Sequence, residues 1–149
     1  MRQSTELLTI IRRTVKRYDD LLKPVCSRYD LFPIEASIIS FLHNNPEKDT
    51  AADIVELRML PKSNVSLAVE SLIRKSLLVR RQDTRDRRKI HLSLTPAAEP
   101  VIREIEQVRL QFYQQVFQGF TSEERQQFAS MNARIAKNMK IEAQGRGIQ

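Results

Sequence analysis

The sequence has 149 residues, enough to bury a core of its own, and its 29% charged and 41% hydrophobic residues are typical of a soluble globular domain. No apolar run approaches the roughly 20 residues of a membrane span, and no apolar block follows the N-terminus as in a signal peptide. We therefore expect a cytoplasmic protein without a membrane partner. The single cysteine, Cys26, excludes an intramolecular disulfide and fits a reducing compartment.

The net charge of +7 is concentrated in one segment. Residues 74–91 contain eight basic and two acidic residues, a net charge of +6, which leaves only +1 for the rest of the chain. Such a run can be a solvated surface loop, but its concentration in one place is also what a nucleic-acid-binding surface requires. Composition alone does not decide between the two.

A long first helix is predicted to start near Ser4, because apolar residues recur there every three or four positions. Pro24 should kink or loosen its last turn. The apolar stripe consists of Leu8, Ile11, Val15, Tyr18, Leu22 and Val25.

Two shorter helices follow. Pro33 suits a first helical position, so the second helix is predicted from there to about Asn44. Thr50 is a good N-cap for a third helix, and Asp53 in its first turn is favoured by the helix dipole. The buried side of the second helix is predicted to hold Ile38, Ile39, Phe41 and Leu42.

Leu60 and Pro61 mark a tight connection into a fourth helix with two distinct faces. The apolar face has the spacing of a buried helix side and consists of Val65, Ala68, Val69, Leu72 and Ile73. The other face carries Ser63, Ser66, Leu67, Glu70 and Arg74, with Lys62 and Asn64 near its start.

The hydrophobic period then changes to two, which predicts a β-hairpin with residues 82–88 at its tip. Residues 77–81 form a plausible first strand. In the second strand, Ile90, Leu92 and Leu94 should face the core, and Lys89, His91 and Ser93 should face solvent.

Two more helices complete the chain. Thr95-Pro96 is predicted to cap the fifth, in which Pro100 should reduce the regularity of the first turn. Thr121 and Glu124 have the spacing of a capping box for the sixth. The apolar stripes are Val101, Ile105, Val108, Phe112 and Val116 in the fifth helix, and Phe128, Met131, Ile135 and Met139 in the sixth.

This order predicts a mainly α fold with a small β-wing: a winged helix-turn-helix of six helices plus a two- or three-stranded wing. We expect one domain over residues 1–149, with a DNA-binding lobe at 33–95 and dimerisation helices at 4–27 and 96–140. The terminal stripes exceed what a core of this size can cover, so they predict a homodimer, although they could also pack on each other within one chain. The expected dimer interface comprises Leu8, Ile11, Val15, Phe112, Val116, Phe128, Met131 and Ile135.

The hairpin sequence resembles that of a known family. Asp83-Thr84-Arg85-Asp86-Arg87-Arg88, followed by residues 92–95 (LSLT), is similar to the wing signature of the MarR (multiple antibiotic resistance regulator) family. Residues 75–78 with Arg80 resemble the family's turn into the first wing strand. Residues 98–100 (AEP) are similar to the SlyA branch. The resemblance covers about residues 4–140.

The resemblance implies a triangular dimer in which each subunit places its fourth helix in the major groove of duplex DNA. It implies that Arg88 enters the minor groove, and that Asp86 braces the wing by pairing with Arg80. The residues expected to contact DNA are Lys62, Ser63, Asn64, Ser66, Leu67, Arg85, Arg87 and Arg88.

Two positions depart from the family pattern. Leu67 stands where many relatives have an arginine, so the operator sequence preferred here should differ. Ser76 replaces the usual glycine after the fourth helix, which should strain a left-handed C-cap.

Other polar residues have simpler interpretations. His43 ends a helix, where a cation is favourable, and His91 should be solvated or touch phosphate. Cys26 is expected to be inert rather than a redox sensor, since it does not match the N-terminal cysteine of the peroxide-sensing branch. Glu70 is expected to be solvated. No catalytic, metal or cofactor motif is present, so we expect no enzyme and no cofactor.

The sequence therefore predicts a homodimeric transcriptional regulator, more often a repressor in this family, that binds a pseudo-palindromic operator. Family members commonly respond to small aromatic or phenolic ligands. The alternative is a winged-helix module for protein interaction or DNA architecture without a sequence-specific operator.

Overall fold

A computed structural model describes residues 2–139, with side chains from residue 6 onward. The elements are α1 (Arg2–Tyr29), α2 (Pro33–Asn44), α3 (Ala51–Arg58), α4 (Lys62–Arg74), β1 (Leu78–Gln82), β2 (Ile90–Leu94), a 3₁₀ turn (Pro96–Ala98), α5 (Glu99–Val116) and α6 (Ser122–Asn138). None of the helices within residues 2–139 is long and apolar enough to cross a membrane. The predicted order of six helices and a wing is confirmed.

Contacts divide the chain into two compact units, Met1–Phe112 and Tyr113–Gln149, and the boundary falls inside α5. The single domain that we predicted for residues 1–149, with its lobe at 33–95 flanked by 4–27 and 96–140, stays a prediction.

Short polar motifs set the helix ends as predicted. Thr50 accepts a hydrogen bond from the Asp53 amide at 3.2 Å, and the Asp53 carboxylate accepts one from the Thr50 amide in return. Thr121 and Glu124 form the same capping box at the start of α6. These reciprocal bonds satisfy amides that have no partner within the helix.

Prolines shift two predicted boundaries. α1 continues through Pro24 to Tyr29, because Val25 is buried in the core just beyond the proline. Thr95-Pro96 begins a 3₁₀ turn rather than α5 itself, and the Thr95 hydroxyl donates to the Ser76 carbonyl at 2.6 Å instead of capping a helix. Pro100 lies at the second position of α5, where its missing N–H costs no helical hydrogen bond.

The core of the first unit lies between α2, α3, α4 and α5, and the base of the wing closes it. Its most deeply buried side chains include Ile38, Ile39, Phe41, Ile54, Leu72, Leu78, Val101 and Ile105. The apolar face predicted for α4 is confirmed. Ile90 was wrongly predicted to face the core: it is 44% exposed, since the sheet projects into solvent towards the hairpin tip.

The sheet contains two antiparallel strands, with Leu78 opposite Leu94 and Gln82 opposite Ile90. The Leu92 amide donates to the carbonyl of Asp49 at 2.8 Å, which joins β2 to the loop before α3. Ser76 has a φ of 63°, so the left-handed conformation expected after α4 is confirmed at a residue that adopts it less readily than glycine.

Candidate nucleic-acid interface

The first component of the site is the exposed face of α4. Leu67 is 71% exposed, and the four polar residues of α4 that are predicted to contact DNA are exposed as well: Lys62, Ser63, Asn64 and Ser66. The helix enters from α3 through a turn in which Met59 takes a left-handed φ of 52°. α4 therefore packs against the core through its apolar side and exposes a short, mostly polar surface, of the kind that contacts base edges.

A buried carboxylate that we did not anticipate anchors the far end of α4. Glu35 is only 1% exposed, yet its oxygens accept hydrogen bonds from the Ser71 hydroxyl at 2.8 Å and the Lys75 ammonium at 3.0 Å. The same carboxylate accepts a bond from the Phe32 amide at the start of α2. The group therefore fixes the end of α4 to the first turn of α2.

The pKa of Glu35 shows that this network favours the ionised form. Burial alone would raise it, but the hydrogen bonds from Phe32, Ser71 and Lys75 outweigh burial, so the pKa of Glu35 lies below its ordinary value. Glu35 occupies the third position of α2, where a carboxylate commonly caps the helix, and this spacing was the available sequence signal.

The second component is the wing, whose acidic residues shape the turn. One oxygen of Asp83 accepts hydrogen bonds from the amides of Arg85 and Asp86 at 2.9 and 2.8 Å. Asp86 accepts one from the Arg88 amide at 3.0 Å, and Gln82 donates to the Arg87 carbonyl. The carboxylates are therefore occupied by backbone groups, which is the usual way aspartates stabilise tight turns.

The arginine side chains of the wing point into solvent. Arg85, Arg87 and Arg88 are all exposed, and the Arg88 side chain is 96% exposed. The Arg88 Nε atom lies 3.8 Å from an Asp86 oxygen. The wing therefore presents three guanidinium groups on a turn held by hydrogen bonds, which is an arrangement suited to an anionic polymer.

The predicted brace between Asp86 and Arg80 is not present. Arg80 forms a two-pronged ion pair with Glu70 of α4, at 2.8 and 3.0 Å. Asp86 lies at the hairpin tip and binds Arg88, whereas Arg80 lies opposite Leu92 on the side of the sheet that faces the core. The Glu70 side chain, which was expected to be solvated, is 46% exposed, and this ion pair also ties the wing to α4.

His91 is the second correction. We expected it to be solvated or to touch phosphate, but its side chain is only 18% exposed and lies between two carboxylates. Nδ1 is 2.7 Å from Asp49, and Nε2 is 2.7 Å from Asp83. The hydrogen bonds to Asp49 and Asp83 raise the pKa of His91, and the bonds from His91 and the turn amides hold the pKa of Asp83 below its ordinary range.

The stripes predicted to form a dimer interface are largely uncovered. Leu8, Ile11 and Val15 of α1 are 51%, 48% and 55% exposed. In α6, Met131 and Ile135 are 54% and 52% exposed. Hydrophobic residues repeated along a helix at such exposure are typical of an interface with another molecule.

Three members of the predicted interface are less open. Phe112 packs edge-on against Tyr18 within the first unit, with the ring centroids 5.2 Å apart. Phe128 packs against Phe117 at 5.3 Å within the second unit and is 37% exposed. Val116 is 38% exposed.

The family model described as "MarR family" matches residues 29–89, which span α2, the helix-turn-helix and the wing up to its tip. Over these residues the chain is similar to the MarR family. This match confirms the resemblance carried by the wing sequence.

Solved structures of MarR proteins share the fold over almost the whole chain. The regulator from Silicibacter pomeroyi is 21% identical, with a TM-score of 0.74 over 91% of this chain and 90% of its own. A MarR regulator from Methanosarcina mazei Go1 is 14% identical, with a TM-score of 0.76 over 93% and 99%. BpsR of Bordetella bronchiseptica, whose DNA binding is regulated by 6-hydroxynicotinic acid, is 20% identical, with a TM-score of 0.66 over 88% and 98%.

Proposed function

We propose that this protein is a member of the MarR family and a homodimeric repressor of transcription that binds a pseudo-palindromic operator in duplex DNA. The observation that supports this most strongly is the pairing of an exposed polar face on α4 with a wing whose Arg85, Arg87 and Arg88 side chains are all in solvent. A helix of this kind fits the major groove, and a projecting arginine is attracted to a narrow minor groove.

Within this proposal the two components have different tasks. Asn64 and Ser66 are suited to hydrogen-bond base edges, and Leu67 to contact a thymine methyl group. Lys62, Ser63, Arg85 and Arg87 are suited to phosphate, which fixes orientation without reading sequence. Arg88 at the tip enters the minor groove.

The exposed stripes on α1 and α6 support the homodimer. Two copies related by a two-fold axis would cover these stripes and would present two α4 helices to DNA. A symmetric pair of reading helices matches a site with two half-sites about one helical turn apart.

We further propose a small aromatic or phenolic effector that alters DNA binding, as 6-hydroxynicotinic acid does for BpsR. Titration of operator complexes with substituted benzoates and hydroxypyridine carboxylates tests the effector separately. If none of these compounds changes DNA binding, the protein is a repressor without such an effector.

Selection of binding sites from random duplex DNA tests the proposed function. We expect enrichment of an inverted repeat, and a promoter carrying that repeat should be silenced by the protein in a reporter strain. A pool that stays random while the protein binds all duplexes equally would support the architectural alternative. Activation of the reporter would show that the protein activates transcription and is not a repressor.

Leu67→Arg should strengthen binding to DNA of any sequence, because it adds a cation at a position that is 71% exposed on the reading face. Each additional neutralised phosphate steepens the slope of log K against log salt by about 0.9. The proposed dimer presents two such cations, so the slope should increase by about twice that amount, whereas Leu67→Gln should leave it unchanged. Identical slopes for Leu67→Arg and the unaltered protein would place residue 67 away from DNA.

Cys26→Ser should leave DNA binding intact, and peroxide should not release the wild-type complex. The Cys26 thiol is half-buried, and burial, followed by the charges of Glu35 and Asp19, raises its pKa, so little reactive thiolate forms at neutral pH. Gel shifts with and without peroxide check this. Release that disappears in Cys26→Ser would make the cysteine a redox sensor.

A further inference from the structure

Three side chains from separate segments meet at the base of the wing. Asp49 lies in the loop before α3, His91 in β2, and Asp83 at the start of the hairpin tip. The imidazole lies between the two carboxylates, with each ring nitrogen 2.7 Å from a different Oδ1 atom. We call these residues the Asp49–His91–Asp83 bridge.

The geometry of the bridge specifies a protonated histidine. Ionised carboxylates only accept hydrogen bonds, and a neutral imidazole carries one N–H and one bare nitrogen. Both contacts can therefore be hydrogen bonds only when both ring nitrogens carry a proton. Loss of one proton turns one of the two contacts into a repulsion between lone pairs.

The bridge controls the part of the wing that carries the arginines. The other oxygen of Asp83 accepts the amides of Arg85 and Asp86, so the carboxylate held by His91 also shapes the hairpin tip. On the opposite side, the Leu92 amide binds the Asp49 carbonyl next to the Asp49 side chain. His91 thus joins the tip of the wing to the loop that leads into the helix-turn-helix.

We propose that His91 in its protonated form is a positioning residue for DNA binding, which aims the wing and makes the affinity for DNA fall as pH rises. This proposal rests on the proposed DNA-binding function. His91 touches no DNA in it, because both of its nitrogens are occupied within the protein.

The charged groups around His91 decide where it titrates. Asp49 and Asp83 favour its positive charge, and burial opposes it. Among its basic neighbours, Arg81 is its direct partner across the sheet, Lys89 lies two residues before it, and Lys48 precedes Asp49. Asp53 at the start of α3 is occupied by Thr50. The net result is a raised pKa, with the Asp49 hydrogen bond as the largest cause.

The sign of the pH effect follows from that direction. A group whose pKa is raised by its folded partners stabilises the folded arrangement fully below its ordinary pKa, and this stabilisation is lost as pH rises through the raised value. The bridge is therefore complete below the ordinary pKa of histidine and opens as pH rises through the raised pKa of His91.

NMR of the intact protein tests the bridge without DNA. His43 is exposed at the end of α2, so His43→Asn identifies which of the two imidazole signals belongs to His91. We expect His91 to titrate at higher pH in the wild type than in Asp49→Asn, which lacks the largest cause of the raised pKa. Amide exchange at Arg85 and Asp86 should be slower in the wild type than in His91→Asn at low pH, and this difference should vanish above the His91 midpoint. Equal His91 midpoints in the wild type and Asp49→Asn, or no difference in exchange, would overturn the bridge even if the protein binds no DNA.

Measurement of DNA affinity across the same pH range, at constant ionic strength, tests whether the bridge affects DNA binding. The wild type and His43→Asn should lose roughly 2- to 10-fold in affinity through the His91 midpoint. His91→Asn should show a flat profile at the weaker level. A wild-type slope retained in His91→Asn would reject the positioning role, while absence of binding at every pH would reject the proposed function alone.

Asp49→Asn separates positioning from simple charge. Removing a negative charge near DNA should tighten binding at every pH if only electrostatics matters. If the bridge aims the wing, the variant should instead bind more weakly, and the midpoint of its pH profile should move down because the largest cause of the raised pKa is gone. Tighter binding with an unmoved midpoint would contradict the proposal.

Discussion

Replacing Ile11 by glutamate is expected to convert the protein to a monomer and to reduce its affinity for operator DNA by about a hundredfold or more. Ile11 lies in the middle of the exposed stripe of α1 and is 48% exposed in one subunit. In the proposed dimer each copy would bury this side chain, so the substitution would place two carboxylates in an apolar interface. Burying an unpaired charge costs several kcal/mol, more than a typical interface contact supplies.

The loss of DNA affinity follows from symmetry. A dimer binds its second half-site as an intramolecular event, and a monomer forfeits that advantage even though its own α4 and wing are unchanged. Analytical ultracentrifugation should show the dissociation, and gel shifts should show weak complexes of one subunit per half-site.

Arg13→Gln is a matched control for this variant. It lowers the net charge by one, as Ile11→Glu does, and Arg13 is exposed on nearly the opposite side of α1, since residues two apart in a helix are separated by about 200°. The control should remain a dimer with nearly normal binding. A dimeric Ile11→Glu protein that binds the operator normally would show that the stripe is not the interface.

Arg88→Ala should weaken operator binding by roughly 5- to 150-fold, in the range of a lost specific contact. The side chain is 96% exposed and makes one distant ion pair, so its removal should leave the fold intact. The loss should be greatest for operators with A·T-rich sequence under the wing, where the minor groove is narrow. An equal loss of affinity for DNA of every sequence would show that Arg88 contacts phosphate and does not read the minor groove.

Asp86→Ala should also weaken binding, although it removes a negative charge beside DNA. Asp86 accepts the Arg88 amide at 3.0 Å and lies 3.8 Å from the Arg88 Nε, so it orders the residue that reads the groove. The Asp86/Arg88 double variant should be little weaker than Arg88→Ala alone, because both act through one contact. The Asp86/Arg80 double variant should be additive, since Arg80 pairs with Glu70 instead. Tighter binding by Asp86→Ala would reject its ordering role.

Local signals explain why so much of the fold could be predicted. Thr50 and Thr121 stand three residues before an acidic side chain, and Pro33 begins a helix, so each boundary is encoded within one turn. The seating of α4 follows from the spacing of Val65, Ala68, Val69 and Leu72. The change of period after that helix located the wing, whose basic residues then indicated nucleic acid.

The partners of the charged side chains could not be predicted in the same way. Glu70 and Arg80 are ten residues apart, and Asp49 and His91 are 42 apart, so their meeting depends on how the wing is turned against the helices. Glu35 and Lys75 meet across 40 residues for the same reason. The family resemblance predicted an ion pair between Arg80 and Asp86. The register of the two strands instead places Arg80 beside α4 and Asp86 at the tip of the hairpin.

The central claim, that a homodimer reads two half-sites of duplex DNA with α4 and the wing, is tested most directly by hydroxyl-radical footprinting on the selected operator. We expect two protected half-sites centred about one helical turn apart, with flanking minor-groove protection that disappears in Arg88→Ala while the central protection remains. Protection of a single half-site, or diffuse protection that follows no sequence, would contradict the account.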